Sequence, residues 1–352
     1  MESPPGLDLA ALRAFLGERG VPVSGSLSAQ VIAGGRSNLT YAVTDGATRW
    51  VVRRPPLAHV LPTAHDMSRE WRVISALQDT GIPVPGTVAL CADPEVIGAP
   101  FYVMDFVEGH VVRDQLPPSW PDTAATRRAM STALIDVLVA LHAVEPDSVG
   151  LDEFGRPAGF LERQVRRWWQ QWEASRTRDL PAMLELHDRL LAGLPGQSAP
   201  GIVHGDYRLD NVIVAADDPG RIAAVVDWEM STIGDPLCDV GLLVVYWTPD
   251  VDDSLASTLP GQRSLGEGFL PREEVVAAYA ARSDRDLSAI EWYIALGHYK
   301  LAIIAEGIHA RFLMGMTVGE GFETMGPAVP LIVERALDRA GASGLAGLSG
   351  GH

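Results

Sequence analysis

The sequence predicts an α+β chain in two lobes: a small N-terminal lobe of five strands with one main inserted helix, and a larger, mostly helical C-terminal lobe. Three observations predict it. Short β-rich runs broken by turn residues fill the chain up to Phe106. Helical spacing of apolar residues dominates after that point. The exception there is one strand pair, and polar residues bracket it at both ends.

An opening helix follows from Leu9, Leu12 and Leu16, which recur at helical spacing before Gly20 as a stop. Three strands are expected next, over Gln30–Ala33, Leu39–Thr44 and Trp50–Arg53. The first turn is Gly34-Gly35-Arg36-Ser37-Asn38, the second is Asp45-Gly46, and Pro55-Pro56 ends the third strand. A helix over Asp66–Leu77 has the apolar stripe Met67, Trp71, Ile74 and Leu77. Strands over Val84–Cys91 and Phe101–Phe106 complete the lobe, which is expected to span residues 1–107. In the second lobe, residues 108–340, Met130, Leu134, Val137, Leu138 and Leu141 give one helical face. Trp168, Trp169 and Trp172 give another, as core residues or as the lining of a pocket. A hairpin runs from Val212–Ala215 to Ile222–Val226 through Asp217-Asp218-Pro219-Gly220. Ser288 with Glu291 reads as a capping box opening a helix to about Leu313. The Gly/Ser-rich segment 341–352 reads as a flexible tail.

Composition narrows the function. The 352 residues can bury a core unaided, and 47% hydrophobic with 21% charged residues fits an ordered protein. A net charge of −17 argues against nucleic acid as a partner, because neutralising phosphates needs a basic surface. The apolar stretch Ile290–Met314 is broken by Glu291, His298, Lys300, Glu306 and His309, so no membrane span is expected. Cys91 and Cys238, far apart and without companions, suit a reducing cytoplasm and exclude a cysteine zinc site. Lys300 is the single lysine among the 28 basic residues.

The densest polar cluster is His204-Gly-Asp-Tyr-Arg-Leu-Asp-Asn211, entered from Ile202-Val203. At the far end of the hairpin stands Asp227-Trp-Glu229. Residues 211 and 227 are equidistant from Pro219, so a regular hairpin would set them side by side. Their amide and carboxylate oxygens are the minimum a hard divalent cation needs from protein. Asp206 could then accept a hydroxyl proton, with His204 bracing the loop.

This spacing resembles the catalytic and metal-binding segments of protein-kinase-like enzymes. The wording His-Gly-Asp-Tyr-Arg-Leu-Asp-Asn, with Asp-Trp-Glu and Gly234-Asp-Pro-Leu-Cys-Asp239, is similar to the aminoglycoside phosphotransferase and choline kinase branch. The resemblance covers nearly the whole chain. It implies a protein-kinase-like bilobal fold and ATP-dependent transfer to a small-molecule hydroxyl, with Asp206 as catalytic base. Asn211 and Asp227 would be Mg2+ ligands and Asp239 the brace of the catalytic loop. For ATP it implies a phosphate cradle at Gly35, Ser37 and Asn38, and an adenine-facing hinge at Asp105, Phe106 and Val107. Arg53 stands where that pattern has a lysine. Glu70, on the apolar face of its helix, is the available partner for it. Arg53-Arg-Pro-Pro, Ala64-His65, Ser68-Arg-Glu-Trp and Gly307-Ile-His-Ala-Arg-Phe312 look most like the kinase-like domain associated with acyl-CoA dehydrogenases. That likeness implies an acyl-linked hydroxyl acceptor, a hydroxyacyl-CoA thioester, rather than an aminoglycoside.

Two other readings stay open from the residues. A metal-dependent hydrolase would use His204, Asp206, Asp210 and Asp227. A nucleotide-binding pseudokinase would explain the missing lysine. The sequence does not specify an oligomeric state.

Overall fold

A computed structural model describes residues 3–32, 38–57, 66–113, 115–196, 198–247, 267–316 and 321–350. Gly35 and Ser37 of the expected phosphate cradle, and Ala64-His65, lie outside them. The chain divides into two compact units. The first is Met1–Gly109 with Ala223–Ser231; the second is His110–Ile222 with Thr232–His352. The passage between units thus falls two residues beyond the 107/108 division read from sequence, and the segment carrying Asp227 returns to the first unit.

The first unit opens with α1 (Leu9–Glu18), whose N-cap Asp8 accepts the Ala10 and Ala11 amides at 2.8 and 3.0 Å. Strands β1 (Ser28–Val31), β2 (Leu39–Thr44) and β3 (Arg49–Arg54) follow, then α2 (Met67–Leu77), β4 (Thr87–Cys91) and β5 (Phe101–Asp105). They form one antiparallel sheet ordered β1-β2-β3-β5-β4. Asp45 fixes the β2–β3 turn by accepting the Ala47 and Thr48 amides, and Gly46 supplies the positive φ of 92°. Leu12, Phe15 and Leu16 of α1 pack against Tyr41, Trp50, Phe101 and Val103 of the sheet. Two strands depart from the sequence reading. β1 starts two residues early, and β4 starts at Thr87, after Gly86 has used its carbonyl on the Asp105 amide and just before a register shift.

The second unit holds α3 (Ala124–Ala143), α4 (Phe160–Ser175), α5 (Pro181–Ala192) and β6 (Gly201–Val203). Strands β7 (Val212–Val214) and β8 (Ile222–Val225) follow, and the passage to the first unit occurs within β8. After β9 (Thr232–Gly234), which pairs with β6, come α6 (Leu237–Tyr246), α7 (Arg272–Ala280), α8 (Ile290–Leu313) and α9 (Met325–Ala342). The capping box at Ser288 and Glu291 does not form. Helix α8 starts at Ile290 without a side-chain cap, and Ser288 is taken up by Asp286. Glu291 instead binds Arg339 of α9 through two bonds of 3.0 Å each, and that ion pair outbids a surface cap. The segment expected as a tail begins inside α9, and Leu348 within it is fully buried. Among the described residues no helix is long and apolar enough to cross a membrane.

Candidate active site

The catalytic-loop half of the site lies within the second unit. β6 delivers the chain to His204, and Asp239 in the first turn of α6 receives it there. The Asp239 carboxylate accepts the His204 amide at 2.6 Å and the Gly205 amide at 2.8 Å. Burial by itself would raise the Asp239 pKa, but these amides and the His142 ring, 3.3 Å away, hold it below the usual range. His142 is itself driven toward its neutral form by burial, and its other ring nitrogen meets the Tyr279 hydroxyl at 2.8 Å. Asp239 is therefore a fully buried carboxylate stabilised first by the His142 ring and then by His204 and the Gly205 amide. His204, also fully buried, accepts the Asp206 amide on Nδ1 at 3.2 Å. Its ring nitrogen facing the loop is spent on bracing, so it is not placed to act as a base.

Asn211 closes the loop. Its Nδ2 donates to the Asp206 carbonyl and to Asp206 Oδ2, both at 2.8 Å, so its Oδ1 is the end left to face a cation. Asp206 Oδ2 also lies 3.7 Å from Arg208 Nε, while Oδ1 has no partner among the described residues. Arg208 pairs with Asp210 at 3.0 Å; burial raises the Asp210 pKa against that pull. Asp210 is thus committed to the loop's own ion pair. No group of three or more His, Cys, Asp or Glu side chains among the described residues could hold a metal, which leaves the hydrolase constellation without a site.

A second cluster of charged residues lies within the first unit and centres on Arg53. Its Nε is 2.9 Å from Glu70 Oε2, in contact but not aligned for a hydrogen bond. Its Nη2 bonds Asp227 Oδ1 and stands 3.7 Å from Glu229 Oε2. Three carboxylates therefore crowd one guanidinium. Burial pushes Glu70 up to about 7, against the pull of Arg53 and with the repulsion of Asp227 and Glu229. The same carboxylates overcome desolvation and raise the Arg53 pKa. Tyr102 donates to Glu70 at 2.9 Å. Asp227 has φ 67°, the single left-handed non-glycine residue among those described, a strained backbone of the kind that occurs at functional sites.

Carboxylate oxygens are the donors that a hard divalent cation takes. Excess carboxylate charge in a buried site must be balanced by a proton or a cation, and the Glu70 shift is the proton's share.

Several placements differ from the sequence reading. Asn38 donates to both Glu70 and Glu229, each at 3.0 Å, so its side-chain amide is spent on carboxylates rather than on phosphate. In the expected hinge, the Asp105 amide bonds Gly86 and the Phe106 amide bonds Arg49. That leaves the Val107 amide as the donor of the three without a described partner. Trp172 is core and Trp169 stacks on His187. Trp168 alone of the three lies beside the catalytic loop, under the Lys300 ammonium. Sequence reasoning missed Glu229 and Lys300.

Residues 28–275 match the model of the phosphotransferase enzyme family. A human protein named acyl-CoA dehydrogenase family member 11 is 34% identical over 322 residues, covering 89% of this chain and 40% of that protein. The chain spans about two fifths of the length of the curated relatives it matches. A Ralstonia eutropha JMP134 crystal structure assigned to the aminoglycoside phosphotransferases is 31% identical, with TM-score 0.79. It covers 94% of this chain and 98% of its own. Aminoglycoside phosphotransferase APH(4)-Ia, in ternary complex with ADP and hygromycin B, shares the fold at 15% identity and TM-score 0.60, with coverages of 92% and 97%. The fold is the α+β fold of protein-kinase-like phosphotransferases, and this chain belongs to the phosphotransferase enzyme family.

Proposed function

We propose that the protein transfers the γ-phosphoryl group of ATP to a hydroxyl of a small molecule, with Asp206 as catalytic base. The observation that carries this is the state of Asp206: one carboxylate oxygen is pinned by Asn211, the other is open, and the loop beneath is fixed by Asp239. A carboxylate oriented in this way can align an attacking hydroxyl and take its proton as the bond forms. Transfer of this kind depends on positioning and charge stabilisation, so few residues suffice.

Mg2+ would be held by Asn211 Oδ1 and the Asp227 carboxylate, and when bound it supplies neutralisation of the phosphate charge. Arg53, in place of the usual lysine, steadies the phosphates through Nη1, the nitrogen its carboxylate partners leave free among the described residues. That arrangement favours a working kinase over a pseudokinase. The ADP-bound structural neighbour supports ATP as donor. The relatives named as acyl-CoA dehydrogenase family members favour a hydroxyacyl-CoA thioester over an aminoglycoside as acceptor.

Asp206→Asn is expected to fold and to bind Mg·ATP as the wild type does, while losing turnover. The test pairs thermal unfolding and nucleotide titration with mass-spectrometric detection of a phosphoryl gain on each acceptor. Hydroxyacyl-CoA thioesters, choline-like alcohols and aminoglycosides form the panel. Full turnover by the variant would remove Asp206 as the base, and gain on the aminoglycoside alone would overturn the acceptor assignment.

A further inference from the structure

The chain's single lysine sits at its catalytic loop. Lys300 projects from α8, a helix buried on most of its faces, and its Nζ donates to the Gly205 carbonyl, one residue before Asp206. The ammonium also lies 5.5 Å from the Trp168 ring centroid. No carboxylate pairs with it among the described residues, and two of its three N–H donors have no described partner. Gly205 has φ 85°, so its peptide plane is set by what holds it rather than by ordinary backbone preference. The residue is held on both sides: its N–H by the Asp239 anion of α6, its C=O by the Lys300 cation of α8.

We propose that Lys300 is a positioning residue for phosphoryl transfer, fixing through the Gly205 carbonyl the turn that presents Asp206. The proposal rests on the phosphotransferase reading above. A contact needed only for stability would be better made by an apolar side chain, because taking a cation out of water with no carboxylate in direct contact is costly. Arginine serves at every other basic position of the chain, yet this one takes the compact, single-point ammonium. The charged and titratable groups facing Lys300 are Asp206 and Arg208 of the loop and Asp239 and Cys238 of α6. Burial depresses its pKa and Arg208 depresses it further, while Asp206, Asp239 and Cys238 raise it.

The test compares Lys300→Met, Lys300→Arg and Asp206→Asn with the wild type, using Mg·ATP and a hydroxyacyl-CoA thioester. Lys300→Met is expected to keep its ATP KM within about twofold while kcat falls about ten- to a hundredfold, the scale of a small misplacement of a reacting group. Lys300→Arg should recover part of that loss. It should also remove the alkaline fall in kcat expected of the wild type as its ammonium deprotonates. A Lys300→Met kcat within twofold of wild type, with Asp206→Asn inactive, overturns this proposal and leaves the base assignment intact. Turnover by Asp206→Asn overturns the base assignment instead. If Lys300→Met fails to fold, the wild-type and Lys300→Arg pH profiles decide, and identical alkaline limbs sink the idea. An acceptor-independent reading is also available, since protein labelled with [15N]lysine gives one ammonium resonance. That resonance should move on Asp206→Asn substitution, and a resonance that stays put counts against the proposal.

Discussion

At the scale of single residues, the cluster around Arg53 shows how a charge in an apolar stripe announces its partner. Glu70 shares a helical face with Ile74 and Leu77, and both the acid and its helix neighbours are buried. Its pairing with Arg53 was legible from that position alone. The crowding by Asp227 and Glu229 was not, because it depends on a 3-10 turn at Trp228–Met230 that carries no periodic signal. Crowding has a pH signature. Glu70 titrates near 7 in the fold against an ordinary value of 4.5. Between those values the native state holds a proton that the unfolded chain has released. Glu70's contribution is therefore complete at acid pH and is lost as pH rises toward 7. Relative to Glu70→Gln, which cannot titrate, the metal-free wild type should lose about 1–3 kcal/mol between pH 5 and 7.5. Urea unfolding of both proteins at several pH values measures it. A wild type that instead gains on the variant as pH rises would show that the Arg53 attraction outweighs burial. Lys300 was misplaced by sequence reasoning for a related reason: its distance along the chain from Asp206 hid a contact that only helix packing creates.

Elements were legible where periodicity is amphipathic and obscure where burial is all-round. α2 and β2 were read nearly to the residue, since each has one buried face. α8 is buried on most of its faces, so its stripe says little about direction and its start was assigned to a capping box that does not form. Its position is set instead by close approach to α6. A Cβ on Gly241 of α6 would lie 2.4 Å from the Tyr293 carbonyl oxygen, and one on Gly297 of α8 would lie 3.2 Å from the Gly241 carbonyl oxygen. Backbone cannot yield as a flexible side chain does. Gly241→Ala should therefore cost about 1–3 kcal/mol despite alanine's better helix propensity. Because α6 carries Asp239 and α8 carries Lys300, kcat should fall with it. Gly17→Ala in α1, where a Cβ meets nothing within 4 Å, is the control and should be neutral or stabilising by up to about 1 kcal/mol. Equal unfolding free energies for the two variants would refute the close-approach account.

For the whole molecule, the first stretch of the first unit ends at Gly109, close to where strand-rich sequence gives way to helix-rich sequence. The return of 223–231 to that unit was invisible, because membership there is decided by tertiary packing and not by composition. Overall charge is the molecular property with a direct functional consequence. At −17 the protein repels anions at long range, whatever cations line its site. A CoA thioester is strongly anionic and an aminoglycoside is cationic, so salt should act on them in opposite directions. Raising ionic strength from about 10 mM to about 150 mM shortens the Debye length from about 30 to about 8 Å and removes most of the long-range field. With Mg·ATP held saturating, kcat/KM for a hydroxyacyl-CoA acceptor is expected to rise over this range, and any residual value for an aminoglycoside to fall. A fall for the thioester would mean that cations near the catalytic loop, Arg208 and Lys300 among them, govern the approach of the acceptor and override the charge of the molecule as a whole.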